Sequence, residues 1–296
     1  MATEKLNEVE SHDATQDVAE AQALLKMDGD LAIVSMNNPP YNLIGSELLG
    51  SVMSAVQTAV DSGARAVLLN SALKNFSAGA DLSLFAAAFD RVDAKAEGTS
   101  TEEKPKKDSV KKAEKKTFSA TEFLDFMQNT PIPIVAAVRG ACLGGGLEIA
   151  LACDAIIAAK SARLGAVEVS IGVAPIMGGV QRLVERVGIV RAKEFAMLGR
   201  RHDAETLEAM GVINLAVADH ELADVALNYA QQLANGPTVA LRAIKEMANI
   251  AANQGIAAAD EVMQKTTAPI FKSQDARAGI KSLQTTGPGS AKFKGC

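Results

Sequence analysis

Short apolar runs alternate along this chain with longer segments of helical periodicity, and this alternation constrains the fold more than any other feature of the sequence. The runs at 31–36, 66–69, 134–138 and 154–159 suit buried strands and are too short for helices. Between the first two, the apolar residues from Leu48 to Val60 recur every three or four positions, as on one face of a helix. Strands that alternate with helices predict an α/β fold with crossover connections.

Local signals place the other elements. Ser46 is a candidate N-cap for the helix that contains Leu48, and Ser119 or Thr121 is a candidate N-cap for a helix that contains Phe123. We further predict helices over 147–153, 179–188, 190–198 and 203–210, a last strand over 212–217, and a helical region from Ala223 onwards.

Two polar segments lie outside the alternation. Residues 1–22 are acidic and polar, which predicts a disordered or weakly helical tail. Residues 87–117 form a charged insertion, interpreted as a solvated loop or exposed helix; a segment that covers a pocket or binds a partner is the alternative. We therefore divide the chain into this tail, a core domain over 23–222 and a helical C-terminal region over 223–296.

Composition excludes several classes of protein. The chain has 30 Lys and Arg against 35 Asp and Glu, a net charge of −5, which argues against a general nucleic-acid binder. Three Cys are too few for a disulfide framework, and with three His they form no zinc spacing, so we expect no metal and a cytoplasmic location. No apolar run reaches the roughly 18 residues of a membrane span.

The first segment suited to chemistry is Phe76-Ser77-Ala78-Gly79-Ala80-Asp81-Leu82, which follows a predicted strand. Small residues let a ligand approach the backbone closely, and Gly79 has access to dihedral angles barred to other residues. If a helix begins near Asp81, the amide of Ala80 lies at its positive end, where anions bind. An ordinary strand-to-helix turn would have a similar composition.

The second segment is Gly144-Gly145-Gly146-Leu147-Glu148, between a predicted strand and a predicted helix. It is not a P-loop, because no Lys-Ser/Thr pair follows Gly146, and it lacks the spacing of a dinucleotide-binding fingerprint. Its glycines leave backbone amides free at a helix N-terminus. Glu148 is a candidate catalytic carboxyl, although a favourable interaction with the helix dipole would also explain an acidic residue there.

The third segment places Glu168 among the small and apolar residues of 164–172. Removal from water raises the proton affinity of a carboxyl group, so this residue suits proton transfer near neutral pH. A structural glutamate in a salt bridge is the alternative.

Together the three segments suit one kind of chemistry. Two separate turns that each offer an amide can form an oxyanion hole, and two nearby carboxyls can handle a proton and a water. This combination suits reactions that pass through a thioester enolate. A Ser-His-Asp arrangement does not compete, because His12 lies in the tail and His202 and His220 follow predicted loops. Cys142 is interpreted as a packed small side chain.

Over about 24–220, the order and spacing of several motifs resemble the crotonase (enoyl-CoA hydratase/isomerase) superfamily. Besides the first two segments, the matching stretches are Asn38-Pro39-Pro40-Tyr41-Asn42, Ile134-Val135-Ala136-Ala137-Val138-Arg139-Gly140, Cys153-Asp154, Gly178-Gly179-Val180-Gln181-Arg182-Leu183 and Ala209-Met210-Gly211-Val212-Ile213. The tail and the charged insertion lie outside the resemblance.

The resemblance implies a spiral of ββα units with a helical C-terminal region used in trimerisation, as a homotrimer or a dimer of trimers. It implies an acyl-CoA substrate, with coenzyme A entering as part of the substrate and no separate cofactor. The thioester oxygen would bind the amides of Ala80 and Gly145, with Glu148 and Glu168 as the catalytic pair. Residues expected to line the bound substrate are Ser77, Ala78, Gly79, Asp81, Leu82 and Gly144.

The resemblance favours an enoyl-CoA hydratase that adds water syn to a 2-enoyl-CoA, because family isomerases usually keep only the second glutamate. Alternatives are an enoyl-CoA isomerase, another acyl-CoA lyase or hydrolase, and a non-catalytic acyl-CoA-binding scaffold. The chain departs from the family pattern at Ala166-Val167, where many hydratases have a polar residue and Pro. It departs again at Ser83, where relatives often have a basic residue near the CoA phosphates.

Overall fold

The computed structural model describes residues 22–83, 86, 89, 90, 92, 93 and 119–296. The predicted tail, apart from its last residue, and most of the charged insertion at 87–117 lie outside the described residues.

The described strands form two sheets. The larger sheet has the order β1-β2-β3-β4-β6-β9 and is parallel except for the pair β1 and β2. Its strands are β1 Ala23–Asp28, β2 Leu31–Met36, β3 Ala66–Ser71, β4 Ile134–Val138, β6 Ala155–Ala159 and β9 Leu215–Val217. The smaller sheet has the order β5-β7-β8, with β5 Ala141–Leu143, β7 Arg163–Gly165 and β8 His202–Asp203.

The main helices are α1 Ser46–Asp61, α2 Ala120–Asn129, α3 Gly145–Leu151, α4 Gly179–Leu198, α5 Ala204–Met210, α6 Leu222–Ala234, α7 Thr238–Gln254, α8 Ile256–Thr267 and α9 Gln274–Thr285, with 3-10 turns at Glu168–Ile171 and Ala268–Lys272. Helix α1 packs on β1 and β2, and α6 packs on β3, β4 and β6. Every residue of β4 and β6 is buried, which explains why these strands are continuous apolar runs rather than alternating ones.

The predicted α/β fold is confirmed, and the main strands lie where the apolar runs predicted them. Ser119, one of the two predicted N-cap candidates, caps α2, and it also forms a capping box with Glu122. The prediction of Ser46 as an N-cap is wrong by one residue, because α1 begins at Ser46 and Gly45 is the N-cap. The two helices predicted over 179–198 form one element, α4, which is interrupted at Gly188 by non-helical backbone angles.

The sequence analysis missed four strands. These are β1, an antiparallel edge strand, and the three strands of the small sheet. Strands β5, β7 and β8 have two or three residues each, too few to show any periodicity. Their position in the fold comes from pairing with one another, which no local pattern reveals.

The C-terminal helices attach to the core mainly through α7. Lys245 Nζ lies 2.9 Å from Asp154 Oδ2 and donates to the carbonyls of Met127 and Ile132 at 3.2 Å. In α7 only Ala243 is buried, and in α8 no residue is. Within the described ranges, no helix has both the length and the apolar character needed to cross a membrane.

Candidate active site

The amide of Ala80 is aimed by backbone pairing with Ile44. Ile44 N donates to Gly79 O at 2.9 Å, and Asp81 N donates to Ile44 O at 3.0 Å, so Ile44 and Ala80 form a parallel bridge. In such a bridge the amide of the middle residue points away from the partner. Among the described residues the Ala80 N–H has no hydrogen-bond acceptor. The first glycine-rich turn therefore presents one free amide.

The second turn ends β5 and begins α3. Gly144 N donates to Gly165 O at 2.9 Å, and Gly144 has φ 53° and ψ −125°, a backbone conformation that favours glycine. Gly145 is the first residue of α3, where amides lack intrahelical acceptors, and its N–H likewise has no acceptor in the described part of the chain.

The two turns lie side by side. Ser77 N donates to Ala141 O at 3.0 Å and Leu143 N donates to Ser77 O at 3.1 Å, so β5 pairs with the first turn. A Cβ atom placed on Gly145 would lie 3.8 Å from Ala80 N. The two free amides therefore face a common space that a side chain at 145 would enter.

Asn42 stabilises the first glycine-rich turn through hydrogen bonds. It is fully buried with a positive φ of 51°, and its Nδ2 donates to Ser71 Oγ at 2.8 Å and to Phe76 O at 2.9 Å. Ser77 Oγ donates to Asn42 O at 2.7 Å. Asn42 therefore has a structural role that the sequence analysis did not predict. The only local signal of this role in the sequence was a polar residue close to a Pro-Pro pair.

Glu148 lies in the first turn of α3 and is 3% exposed. Its Oε1 accepts hydrogen bonds from Met177 N and Gly179 N, both at 2.8 Å. Burial raises the pKa of Glu148 to about 7; the charge of Glu168 acts in the same direction, while the two amides and Arg182 act against it. The carboxyl is therefore held in one orientation and titrates near neutral pH.

Glu168 opens the 3-10 turn that follows β7. Both of its carboxyl oxygens are buried without a hydrogen-bond partner in the described part of the chain, and burial raises its pKa. Its Oε1 would lie 3.3 Å from a Cβ atom on Gly144. Glu168 thus lies against the glycine turn that carries the Gly145 amide. The 3-10 turn that begins at Glu168 follows the Ala166-Val167 pair, where the chain departs from the family pattern, and ends at Gly172.

The remaining predicted site residues divide into two groups. Ser77 and Gly79 are buried, and the Ser77 hydroxyl accepts from Gly79 N at 3.1 Å, so this side chain supports the turn. Ala78 and Leu82 are exposed, and Asp81 Oδ1 accepts from Ser83 N at 2.9 Å, a backbone hydrogen bond that lowers the pKa of Asp81. Gly144, Gly145, Ala80, Glu148 and Glu168 are the predicted residues that the structure brings together.

A cavity of about 550 Å³ lies beside this cluster, between α2, the end of α3, the start of α4 and α7. Its lining is largely polar and includes Gln128, Gln181, Arg182, Asn249 and Asn253. Gly178, which also lines it, belongs to the turn that binds Glu148.

Other candidate groups are used elsewhere. The ring of His202 stacks on Phe195 with centroids 5.0 Å apart. Cys142 is buried, and burial raises the pKa of its thiol, which disfavours the thiolate. The ranges covered by the structure contain no group of three or more His, Cys, Asp or Glu that could hold a metal ion.

Comparison with known proteins agrees with the motifs. A family model described as enoyl-CoA hydratase/isomerase matches residues 26–288. A probable enoyl-CoA hydratase of Bacillus subtilis is 30% identical over 261 residues, 88% of this chain and 94% of that protein. The mevalonyl-coenzyme A hydratase of Beauveria bassiana is 49% identical over 107 residues, 36% of this chain and 38% of that protein. A solved enoyl-CoA hydratase subunit of Geobacillus kaustophilus has a TM-score of 0.78 at 27% identity and covers 93% of this chain and 98% of that one.

Proposed function

This chain belongs to the enoyl-CoA hydratase/isomerase family, and on that premise we propose that it is a hydratase that adds water syn across the C2–C3 bond of a 2-enoyl-CoA. One observation carries the proposal. Glu148 and Glu168 lie around the glycine turn that presents the free amide of Gly145, and the carboxyl oxygens of Glu168 have no hydrogen-bond partner among the described residues. A Cβ atom on Gly145 would lie 3.8 Å from the second amide nitrogen, that of Ala80.

The two amides act on the thioester carbonyl. Ala80 N–H and Gly145 N–H donate to its oxygen, on which negative charge develops when water adds to C3. Removal of one such donor in other enzymes costs roughly 3–4 kcal/mol of transition-state stabilisation. Both amides belong to the fixed backbone and need no rearrangement when the charge appears.

The two carboxyls divide the proton transfers. Glu148, whose pKa near 7 leaves it substantially ionised at neutral pH, accepts a proton as the water oxygen bonds to C3. Glu168, whose pKa is raised by burial, gives its proton to C2 as the enolate collapses. The net change is addition of one water, and proton exchange between the carboxyls and solvent restores the starting state. Both groups act from one face of the substrate, which gives syn addition.

An isomerase is the nearest alternative, because Glu168 alone could move a proton between C2 and C4. The two 2.8 Å hydrogen bonds that orient Glu148 favour a catalytic role for this carboxyl as well as for Glu168. Product analysis with a 3-enoyl and a 2-enoyl thioester separates the two activities. A non-catalytic scaffold would bind CoA esters without turning them over.

We expect Glu168→Gln to lower the kcat for hydration of but-2-enoyl-CoA by at least about 100-fold, because an amide cannot deliver the proton. The far-UV circular dichroism spectrum should not change. Glu194→Gln is the matched control, since Glu194 forms an exposed ion pair with Arg191. Near-wild-type turnover of Glu168→Gln would refute the assignment.

A hydroxylated short acyl-CoA is a second candidate substrate. The 49% identity to a mevalonyl-coenzyme A hydratase, over 107 residues, exceeds the 30% identity to the Bacillus subtilis relative, which extends over 261 residues. We expect mevalonyl-CoA dehydration to have a kcat/KM at or above that for but-2-enoyl-CoA hydration; no measurable dehydration would reject this candidate.

We also propose that the protein acts in the cytoplasm as a homotrimer or a dimer of trimers, with no metal and no cofactor beyond the CoA of its substrate. The few scattered cysteines support a reducing compartment. Exposed apolar side chains on the second half of α4 and on the C-terminal helices support self-association; they are Val190, Met197, Ile256, Met263, Phe271, Ile280 and Leu283.

A further inference from the structure

Glu148 depends on a single turn for its orientation. The two amides that bind its Oε1 belong to Met177 and Gly179, and Gly179 is the first residue of α4. A Cβ atom on Gly179 would lie 2.8 Å from Glu148 Cγ, so the carboxyl side chain packs directly on this backbone. Any group that fixes the turn over 177–179 therefore also fixes the catalytic carboxyl.

Arg182 is the side chain that lies on this turn. Its backbone N and its Nη1 both donate to Gly178 O at 3.3 Å. A Cβ atom on Gly178 would lie 2.6 Å from Arg182 Nη1, so the guanidinium occupies the space that the glycine leaves open. Gly178 also has a φ of 78°, and the two features together explain why the turn needs a glycine here.

The guanidinium also places a positive charge near Glu148. Arg182 is half-buried, and within the described ranges it forms no ion pair shorter than 4.0 Å. The charged groups that act on Glu148 are Glu168 on the 3-10 turn, which disfavours the carboxylate, and Arg182 on α4, which favours it. Glu185 and Glu148 both favour the charged form of Arg182, while Arg182 disfavours the charged form of Arg186.

We propose that Arg182 is a positioning residue for the hydration step: it holds the turn that orients Glu148 and brings a positive charge close to this carboxyl. The inference rests on the proposed function. Arg182 itself lines the polar cavity, whose lining does not include Ala80, Gly145, Glu148 or Glu168.

The kinetic test compares Arg182→Gln, Arg182→Lys and the control Arg191→Gln, an exposed arginine on the same helix. Arg182→Gln removes the charge, so the acidic limb of the pH profile of kcat/KM should move upwards by about one pH unit. Arg182→Lys keeps the charge but loses the contact between the guanidinium and Gly178. We therefore expect the acidic limb to stay at the wild-type pH and kcat to fall. Arg191→Gln should match the wild type.

A second readout does not depend on activity. The carboxyl carbon of Glu148, labelled with ¹³C and assigned by comparison with Glu148→Gln, is titrated by NMR in each variant. We expect the midpoint of the Glu148 titration to rise in Arg182→Gln by the same amount as the acidic limb of the pH profile of kcat/KM. If Arg182→Gln does not fold, Arg182→Met takes its place, because it keeps an aliphatic stem without charge.

Two results would overturn the inference. One is an unchanged Glu148 midpoint in the uncharged variant; the other is a lower melting temperature with an unchanged acidic limb, which is what a purely structural arginine would give. An inactive wild type whose Glu148 midpoint still shifts in Arg182→Gln would instead reject the proposed function and leave the electrostatic coupling standing.

Discussion

At the scale of single residues, the candidate site combines a carboxyl held by hydrogen bonds with one that has none. Glu148 is buried and fixed by two amides, whereas Glu168 has two buried oxygens without a partner in the part of the chain that the structure describes. Buried polar atoms without partners are costly and are therefore uncommon in a folded protein. The missing partner of Glu168 is what a substrate or a water would supply.

Burial of Glu148 predicts a pH-dependent stability. Its folded pKa of about 7 is above the 4.5 of a glutamate in an unfolded chain, so its contribution to stability is present at low pH and is lost as the pH rises through 7. Glu148→Gln keeps an oxygen that both amides can bind and does not titrate. Its free energy of unfolding relative to wild type should therefore rise by roughly 2–3 kcal/mol between pH 5 and pH 8.

Urea unfolding at several pH values measures this difference. Glu194→Gln, at an exposed position, should show no comparable trend. A constant difference between Glu148→Gln and wild type across the range would mean that Glu148 titrates in the folded protein as it does in the unfolded chain.

The raised pKa of Glu148 predicts an acidic limb in the pH profile for hydration. The kcat/KM should rise as Glu148 loses its proton near pH 7. Because the charge of Glu168 acts on Glu148, this limb reports the pair rather than Glu148 alone. The measurement is initial-rate hydration of but-2-enoyl-CoA from pH 5 to pH 10, and a flat profile would contradict the assigned roles.

At the scale of elements, α3 joins the two halves of the site, because its first residue offers an amide and its first turn carries Glu148. The helix is buried along its whole length, and Gly146 packs so closely that a Cβ atom there would lie 2.7 Å from Ser77 Cβ. The small sheet sets the start of this helix through the hydrogen bond from Gly144 N to Gly165 O. Strands of two or three residues thus determine where the Gly145 amide points.

Gly145→Ala should separate activity from stability. Alanine favours helix, and the new methyl would meet mainly the flexible end of Ile44, 3.1 Å away, so the melting temperature should hold or rise. The methyl would also enter the space between the two amides, so kcat should fall by about 100-fold or more. Gly45→Ala, where nothing lies within 4 Å of an added Cβ, is the control. Full activity in Gly145→Ala would show that the substrate oxygen binds elsewhere.

At the scale of the whole molecule, the described part of the chain leaves its C-terminal helices poorly covered. Helix α8 buries no residue, and Ile256 and Phe271 are 74% and 77% exposed. Val190 and Met197 are seven residues apart on α4, which places both on one helix face, and both are exposed. The proposed assembly would cover this apolar surface with other copies of the chain.

Light scattering after size exclusion tests the proposed assembly. We expect a molar mass of three or six chains, because the exposed apolar faces gain by mutual burial. Replacement of both Val190 and Met197 by Glu should lower the mass if α4 contributes to the contact, with Glu194→Gln as a control on the same helix. A wild-type mass of one chain at micromolar concentration would reject the trimer.

The sequence by itself determined the α/β fold, the two glycine-rich turns and both glutamates, because each of these has a local cause. Apolar runs record burial, and glycines record backbone conformation and close approach. The sequence could not determine that Ile44 turns the Ala80 amide outwards, that Met177 and Gly179 hold Glu148, or that Arg182 lies on their turn. These contacts join residues about 30 or more positions apart or depend on side-chain packing around one turn, so only the tertiary structure decides them.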